Sequence, residues 1–120
     1  MKGYAWVLLF AVASMDCVAG FDEGSAAYDE KDYTTALREF LPLANDGDAS
    51  SQSYLGYMYI YGEGVPKDYT QAINWFRKAA LQGNSYSQHM LGLMFYKGNG
   101  VPQNFIQAEK WFRKAAEQGD

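Results

Sequence analysis

Apolar residues recur at helical spacing along most of the chain. Ala72, Trp75, Phe76, Ala79 and Ala80 occupy positions i, i+3, i+4, i+7 and i+8, which form a broad apolar stripe on one side of an α-helix. In an earlier stretch, 55–62, Leu55, Met58, Tyr59 and Gly62 follow the same helical spacing. Glycine and proline separate the two stretches. The pattern predicts two helices joined by a turn.

The helix–turn–helix pattern is repeated. When the chain is shifted by 36 residues, positions 48–83 align without gaps with positions 84–119, and 19 of the 36 positions are identical. A fixed period of this length is typical of a stacked array of helix pairs. The positions that define the repeat are Leu55, Gly56, Gly62, Gly64, Pro66, Ala72, Trp75 and Ala79 in the first copy, and Leu91, Gly92, Gly98, Gly100, Pro102, Ala108, Trp111 and Ala115 in the second.

Short polar residues mark the predicted helix starts. Asp48 and Asn84 stand where N-caps belong in the first helices, and Asp68 and Asn104 in the second helices. Glutamine follows Asp68 and Asn104 three residues later, which is the spacing of a capping box. Between the helices runs the connector Gly-x-Gly-Val-Pro, whose valine we expect to point inward.

Gly56 and its counterpart Gly92 lie inside predicted helices. Glycine there costs roughly 1 kcal/mol relative to alanine. Because it recurs in both copies, we expect a neighbouring helix to approach closely at this position.

A divergent unit over residues 20–47 precedes the two repeats. Its first predicted helix places Gly24, Ala27 and Tyr28 on one side, and Asp32 caps a second helix. This unit lacks the glycine connector, so we expect a loop about four residues shorter on an approximate alignment. Terminal units of an array are usually atypical, and this one is predicted to cap the N-terminal end of the stack.

Taken together, these residues resemble a known repeat family. Leu55-Gly56, Gly62-x-Gly64-Val65-Pro66, Asp68-Tyr69 and the string 75–80 are similar to the Sel-1-like repeat, a relative of the tetratricopeptide repeat. The resemblance covers 21–120. It implies an all-α fold, an α/α solenoid of stacked antiparallel helix pairs that serves as a protein-interaction or adaptor module. Bacterial members are often exported; related groups linked to hydrolase activity are rich in disulfide-forming cysteine, unlike this chain.

Charge and composition exclude several classes of function. The 120 residues carry a formal net charge of −4, which argues against a nucleic-acid partner. One cysteine and one histidine allow neither a disulfide framework nor a multi-histidine metal centre. We therefore predict no metal and no cofactor. The charge is uneven, because 21–48 contains eight acidic and two basic residues. This acidic segment could steer a basic partner or end-to-end association, and a purely solvating surface is the equal alternative.

Catalytic motifs are absent from the sequence. There is no HExxH, no Gly-x-Ser-x-Gly and no phosphate-binding loop, and His89 has no carboxylate or serine at a motif spacing. The sequence therefore predicts a protein that is not an enzyme.

The first nineteen residues have the features of a secretory signal peptide. Lys2 precedes a short apolar run, and Cys17-Val18-Ala19 places small or apolar residues at the cleavage-determining positions. Cleavage after Ala19 predicts a periplasmic or secreted protein with no membrane insertion. An uncleaved anchor and a lipoprotein acylated at Cys17 are the alternatives, the second disfavoured by Asp16.

A second stripe on the first helix of each repeat is the candidate binding site. Helical arrays bind partners on an extended concave surface, and we predict that this surface carries Tyr54, Tyr57, Tyr61, Met90, Leu93 and Lys97. The predicted function is a non-catalytic adaptor of the bacterial cell envelope. The alternative for the same tyrosines is a cell-wall or carbohydrate-binding module, and a hydrolase using His89 comes third. For all six residues the structural alternative is packing against the neighbouring unit or the N-terminal helix; for Met90 and Leu93 it weighs as much as binding.

The C-terminal end of the array is a further candidate surface. No capping helix follows the second repeat in this sequence, so the outer face of the last pair, around Trp111, Phe112 and Ala115, has no obvious cover. We expect this face to meet a partner, another copy, or residues missing from a truncated sequence.

Overall fold

A computed structural model describes residues 19–118 of the chain. Within that range all regular structure is helical, and successive helices from α2 onwards pack against each other, which confirms the predicted all-α solenoid. The molecule is elongated, with extents of 58 × 31 × 21 Å. The helices are α1 over 19–29, α2 Tyr33–Asn45, α3 Ala49–Tyr61, α4 Tyr69–Leu81, α5 Ser85–Lys97 and α6 Phe105–Glu117. The predicted signal peptide, apart from Ala19, lies outside the described residues.

Loop lengths match the sequence pattern. Residues 30–32 join α1 to α2, whereas the connectors 62–68 and 98–104 join the later pairs. The first loop is therefore four residues shorter, as predicted. None of the described helices is long and apolar enough to cross a membrane.

Each predicted N-cap is confirmed, but the capping box is not formed. The side chains of Asp32, Asp48, Asp68, Asn84 and Asn104 accept hydrogen bonds from backbone N–H groups at the start of the helix that follows. In a capping box the glutamine three residues on would accept from the N–H of the capping residue. Instead, the Asp68 N–H donates to the Tyr59 carbonyl and the Asn104 N–H to the Phe95 carbonyl. The connector thereby folds back on the preceding helix, and a backbone carbonyl of that helix accepts the hydrogen bond of the capping residue's N–H.

The core consists of two apolar clusters, one on each side of the first full repeat. The first joins α1 and α2 to α3 and Trp75; the second joins α4 to α5. Val65 packs against the first cluster and Val101 against the second, so the inward direction predicted for both valines is confirmed. The apolar stripe of α4 is buried throughout.

Connector glycines join one repeat to the one before it. Gly64 has φ +75°, and a Cβ there would lie 2.9 Å from the Cβ of Tyr33, the first residue of α2. Gly100 also has φ +75°, and a Cβ added there would lie 2.7 Å from the Tyr69 carbonyl oxygen. Only glycine combines this backbone region with so close an approach at low cost.

Buried glutamines form a second link between repeats. The Gln52 side chain is buried on α3, donates from Nε2 to the Ala44 carbonyl at 3.0 Å, and accepts from Gln82 at 2.9 Å. One repeat later Gln88 makes the same bonds, to the Ala80 carbonyl at 3.1 Å and from Gln118 at 2.7 Å. This glutamine ladder satisfies carbonyls near the ends of α2 and α4.

Candidate functional site

A groove runs across the first helices of the three pairs. Its cavity volume is about 440 Å³, within the range of roughly 300–1,000 Å³ that is common for ligand sites. No charged side chain lines it. We call it the tyrosine groove, and its lining is Phe21 and Tyr28 from α1, Ser50, Ser53, Tyr54 and Tyr57 from α3, Asn84 at the start of α5, and Tyr86 from α5.

Ring contacts fix the walls of the tyrosine groove. Tyr28 meets Tyr54 edge-on with centroids 5.2 Å apart, and meets Tyr57 edge-on at 6.3 Å. Tyr54 is anchored from below, because its ring stacks on the buried Phe40 ring at 4.5 Å. Tyr86 reaches Tyr57 from the next repeat at 6.2 Å. The groove is therefore a preformed aromatic surface whose two sides belong to different repeats.

Three phenols of the groove, those of Tyr28, Tyr57 and Tyr86, have a raised pKa. Burial raises the pKa of Tyr86 to about 12, with smaller contributions from Tyr57 and Tyr61. Burial also raises the pKa of Tyr57 and of Tyr28 above the ordinary value. Neutral phenols can both donate and accept hydrogen bonds.

The structure divides the six predicted binding residues into two groups. Tyr54 and Tyr57 line the tyrosine groove, and Tyr61, 57% exposed, packs beside Tyr57 with centroids 4.6 Å apart. The three residues predicted from the second repeat are not among the groove-lining residues. Met90 packs against the second core cluster, Leu93 is half-buried, and Lys97 is exposed in the last turn of α5.

Sequence analysis predicted only two of the eight groove-lining residues, Tyr54 and Tyr57. Phe21 and Tyr28 come from α1, and Tyr86 comes from the first turn of α5. The seven-residue spacing of Phe21 and Tyr28, two turns on one side of a helix, is a signal that the sequence analysis did not use. Nothing local marks Tyr86, because its neighbours in the groove lie a full repeat earlier in the chain.

The structure describes the three residues of the predicted outer face on α6. Ala115 is buried, with 5% exposed, and Trp111 is half-buried against the second core cluster. Phe112 is also half-buried, and it lines two clefts beside α6, one of them together with Ala115. The more exposed apolar residues of this helix are Phe105 and Ile106 at its start.

His89 is exposed on α5, with its ring 5.4 Å from that of Phe112. In the part of the chain that the structure describes, it pairs with no carboxylate. Residues 19–118 also contain no cluster of three or more histidine, cysteine, aspartate or glutamate side chains placed to hold a metal ion.

The chain is similar to solved helical-repeat structures. A Sel1 repeat protein from Oxalobacter formigenes is 38% identical with a TM-score of 0.78, over 81% of this chain and 40% of that one. The protein c5321, a protective antigen of uropathogenic Escherichia coli strains with an SLR fold, is 34% identical with a TM-score of 0.78, over 88% of this chain and 22% of that one. This chain thus spans less than half the length of either. No curated protein matches it.

Two consecutive stretches match the Sel1 repeat family model, residues 49–84 and residues 85–120. Together they cover more than half of the chain, and their helices are those that carry the connectors and the glutamine ladder. Proteins built from such repeats are commonly protein–protein interaction modules and are typically non-catalytic. By its repeats, its helix pairs and its structural relatives, this chain belongs to the Sel1 repeat family.

Proposed function

We propose that this protein is a non-catalytic adaptor that binds a segment of a partner protein in the tyrosine groove. The observation that carries the proposal is the groove itself, a preformed aromatic cavity of about 440 Å³ assembled from three helices. Tyrosine supplies large contact area at small cost in conformational entropy, and is enriched where binding energy is concentrated. Ser50, Ser53 and Asn84 add side chains that can hydrogen-bond the backbone of an extended segment.

Ring geometry favours a peptide over a sugar at this site. Tyr28 meets both Tyr54 and Tyr57 edge-on, at interplanar angles of 69° and 73°. A sugar ring stacks on one open, flat aromatic face, whereas a peptide segment can place side chains between rings of different orientation. The carbohydrate-binding alternative is therefore an outcome of the test below.

Site-specific photocrosslinking tests the proposal in living cells. A photoreactive phenylalanine analogue replaces Tyr86, 45% exposed at the groove, or Phe105, 59% exposed on α6, as the matched control. We expect one crosslinked protein band from position 86 and not from position 105. Adding Tyr57→Ala should abolish that band. Equal crosslinking from both positions, or none that depends on Tyr57, would contradict the groove as the binding site.

Glycan binding is scored with the same variants. Purified wild-type protein and Tyr57→Ala are mixed with isolated cell-wall material, and the bound fraction is compared. Binding to cell-wall material that depends on Tyr57, with no protein crosslink from position 86, would contradict the adaptor function and support cell-wall binding.

Export to the cell envelope is the second part of the proposal. It is supported by the charge, the apolar run and the small residues of positions 1–19. The N-terminal sequence of the protein isolated from an envelope fraction tests it. A first residue of Gly20 is the expected result; retention of Met1, or acylation at Cys17, would contradict cleavage after Ala19.

A further inference from the structure

The side chains that line the tyrosine groove are all uncharged. Five of them are aromatic, and the other three are the small polar residues Ser50, Ser53 and Asn84. Neighbouring rings meet at steep angles, as Phe21 and Tyr54 do at 68° with their centroids 5.9 Å apart. Each such pair forms a rigid corner with apolar walls, into which a small, stiff apolar ring can pack.

Asn84 supplies the groove with a hydrogen-bond donor. As the N-cap of α5, its Oδ1 accepts from the Ser87 backbone N–H at 2.8 Å. The Nδ2 of the same side chain donates to no group within residues 19–118 and is left for a ligand. The Ser50 hydroxyl, on an exposed residue of the lining, can donate as well. A segment that presents free carbonyl oxygens therefore complements the polar side of the groove.

The walls of the groove restrict how a peptide can be bound. Every lining residue lies in a helix or caps one, so within residues 19–118 the groove offers no sheet edge to an added strand. Phosphate groups and chain termini are usually bound by charged side chains or clustered backbone N–H groups, which this lining lacks. A bound helix would leave Ser50 and Asn84 without acceptors, because its own carbonyls are bonded internally. These features favour an extended segment in the polyproline II conformation, which proteins bind in aromatic-lined grooves.

The rim of the groove on α1 is acidic. Asp22 and Asp29 directly follow the lining residues Phe21 and Tyr28, lie one helical step farther out, and are exposed. The segment 21–48, which supplies α1 and α2, carries eight acidic and two basic residues. Because the lining is neutral and the rim is negative, an uncharged segment with basic flanking residues is the electrostatic complement of this surface.

We infer that the tyrosine groove binds a proline-rich segment of the partner, in the polyproline II conformation and flanked by basic residues. This inference rests on the proposed function and names the chemistry of its ligand. The pyrrolidine rings pack into the aromatic corners, and carbonyl oxygens of the segment accept from Asn84 and Ser50. A polyproline II helix has no internal hydrogen bonds, so its carbonyls are free. Its restricted backbone also lowers the conformational entropy that is lost on binding.

The first repeat supplies a matched variant for the donor. Asp48 holds the same cap position, and its φ −68° and ψ 114° are close to the φ −67° and ψ 108° of Asn84. Asn84→Asp therefore keeps the cap of α5 and replaces the Nδ2 donor with a carboxylate oxygen. Tyr57→Ala, in contrast, removes an aromatic wall and tests the proposed function itself.

A displayed library of random twelve-residue peptides is the probe. It is selected on the immobilised full chain, expressed from its own start so that any processing takes place, and in parallel on Tyr57→Ala. We expect the peptides that depend on Tyr57 to be enriched in proline at a spacing of three residues, the period of the polyproline II helix. Lysine or arginine should be enriched beside these prolines.

The best binder is then synthesised, and its affinity is measured by fluorescence anisotropy. Replacing its spaced prolines by alanine should weaken binding roughly tenfold, because ring contacts and backbone restriction are both lost. Asn84→Asp should weaken the original peptide about fivefold through the loss of one hydrogen bond. Affinities that are unchanged in both comparisons would overturn the inference.

The selection separates the two proposals. Peptides that depend on Tyr57 and show no enrichment in proline would overturn the proline-rich ligand and support the adaptor function. Peptides whose binding is insensitive to Tyr57→Ala would overturn the groove, and with it both proposals. If circular dichroism shows that Tyr57→Ala does not fold, Tyr86→Ala replaces it, because Tyr86 is 45% exposed and its truncation leaves the core intact.

Discussion

The ring of Phe76 lies directly against the backbone of Gly56. A Cβ added to Gly56 would come within 2.8 Å of Cδ1 and Cε1 of that ring, closer than carbon atoms approach in folded proteins. The same contact joins Gly24 to Phe40 and Gly92 to Phe112. Each pair links the first helix of a unit to its second helix. The close approach predicted for the helical glycines is thereby confirmed, and extends to the divergent first unit.

Replacing Gly56 by alanine should destabilise the protein. Phe76 is completely buried and cannot move aside, so we expect the overpacking to lower the free energy of unfolding, by about 1–3 kcal/mol, even though alanine is the better helix former. Gly92→Ala should cost less, because the facing Phe112 is half-buried and can shift outward. Urea unfolding followed by circular dichroism measures both changes.

Gly20→Ala is the matched control for these variants. Its Cβ would meet Glu39 and Leu43 at 3.6 Å, an ordinary contact distance, so its stability should equal or slightly exceed that of the wild type. A Gly56→Ala protein as stable as Gly20→Ala would show that the ring contact does not limit this position.

At the start of α4, Asp68 forms an N-cap, whereas Gln71 does not complete a capping box. Asp68 accepts from the backbone N–H groups of Thr70 and Gln71, so Asp68→Ala should lower the free energy of unfolding, by about 1 kcal/mol. The Asp68 N–H already donates to Tyr59, so Gln71→Ala should change stability by less than about 0.5 kcal/mol. Thermal and urea unfolding of the two variants provide the test. Comparable losses of stability in the two variants would show that Gln71 does form the capping box.

The glutamine ladder should contribute to the coupling between repeats. Gln52→Ala leaves the Ala44 carbonyl without its buried donor, and we expect a loss of about 1–3 kcal/mol. Gln82 is exposed and donates to Gln52, so Gln82→Ala should cost less. In a double-mutant cycle, the two changes should show a coupling of at least about 0.5 kcal/mol. Strictly additive effects would mean that the Gln52–Gln82 bond contributes nothing.

Alkaline titration should report on the tyrosine groove. A phenol whose pKa is raised on folding stabilises the folded state fully below its unfolded pKa of 10.0, and that stability is lost as the pH rises toward its folded value. For Tyr86 the window is from about 10 to about 12. Absorbance at the tyrosinate band should therefore rise in two steps, with the second step, from Tyr86, between about pH 10 and about pH 12. If all tyrosines titrated in a single step at the ordinary pKa while the helices stayed intact, the raised pKa of Tyr86 in the groove would be contradicted.

Local signals in the sequence determined most of the fold. The 36-residue period, the Asp and Asn caps and the missing connector of the first unit set the number of helices, their starts and the short first loop. The position of Gly56 and Gly92 inside predicted helices was enough to predict the close approach of a neighbouring helix. Such features act within a few residues, through backbone angles and hydrogen bonds that each residue type either permits or forbids.

The tertiary structure decided where the binding surface lies. Tyr54 and Tyr57 become groove residues because Tyr28 from α1 and Tyr86 from α5 close around them, whereas Met90, at the position of Tyr54 in the next repeat, does not line the groove. The partner of the Asp68 N–H is likewise set by how the connector folds back on α3. Equivalent positions in a repeated sequence share a helical face, but their neighbours differ at each step of the array. The sequence therefore determines the helices, and the packing of three helices from different repeats determines the site.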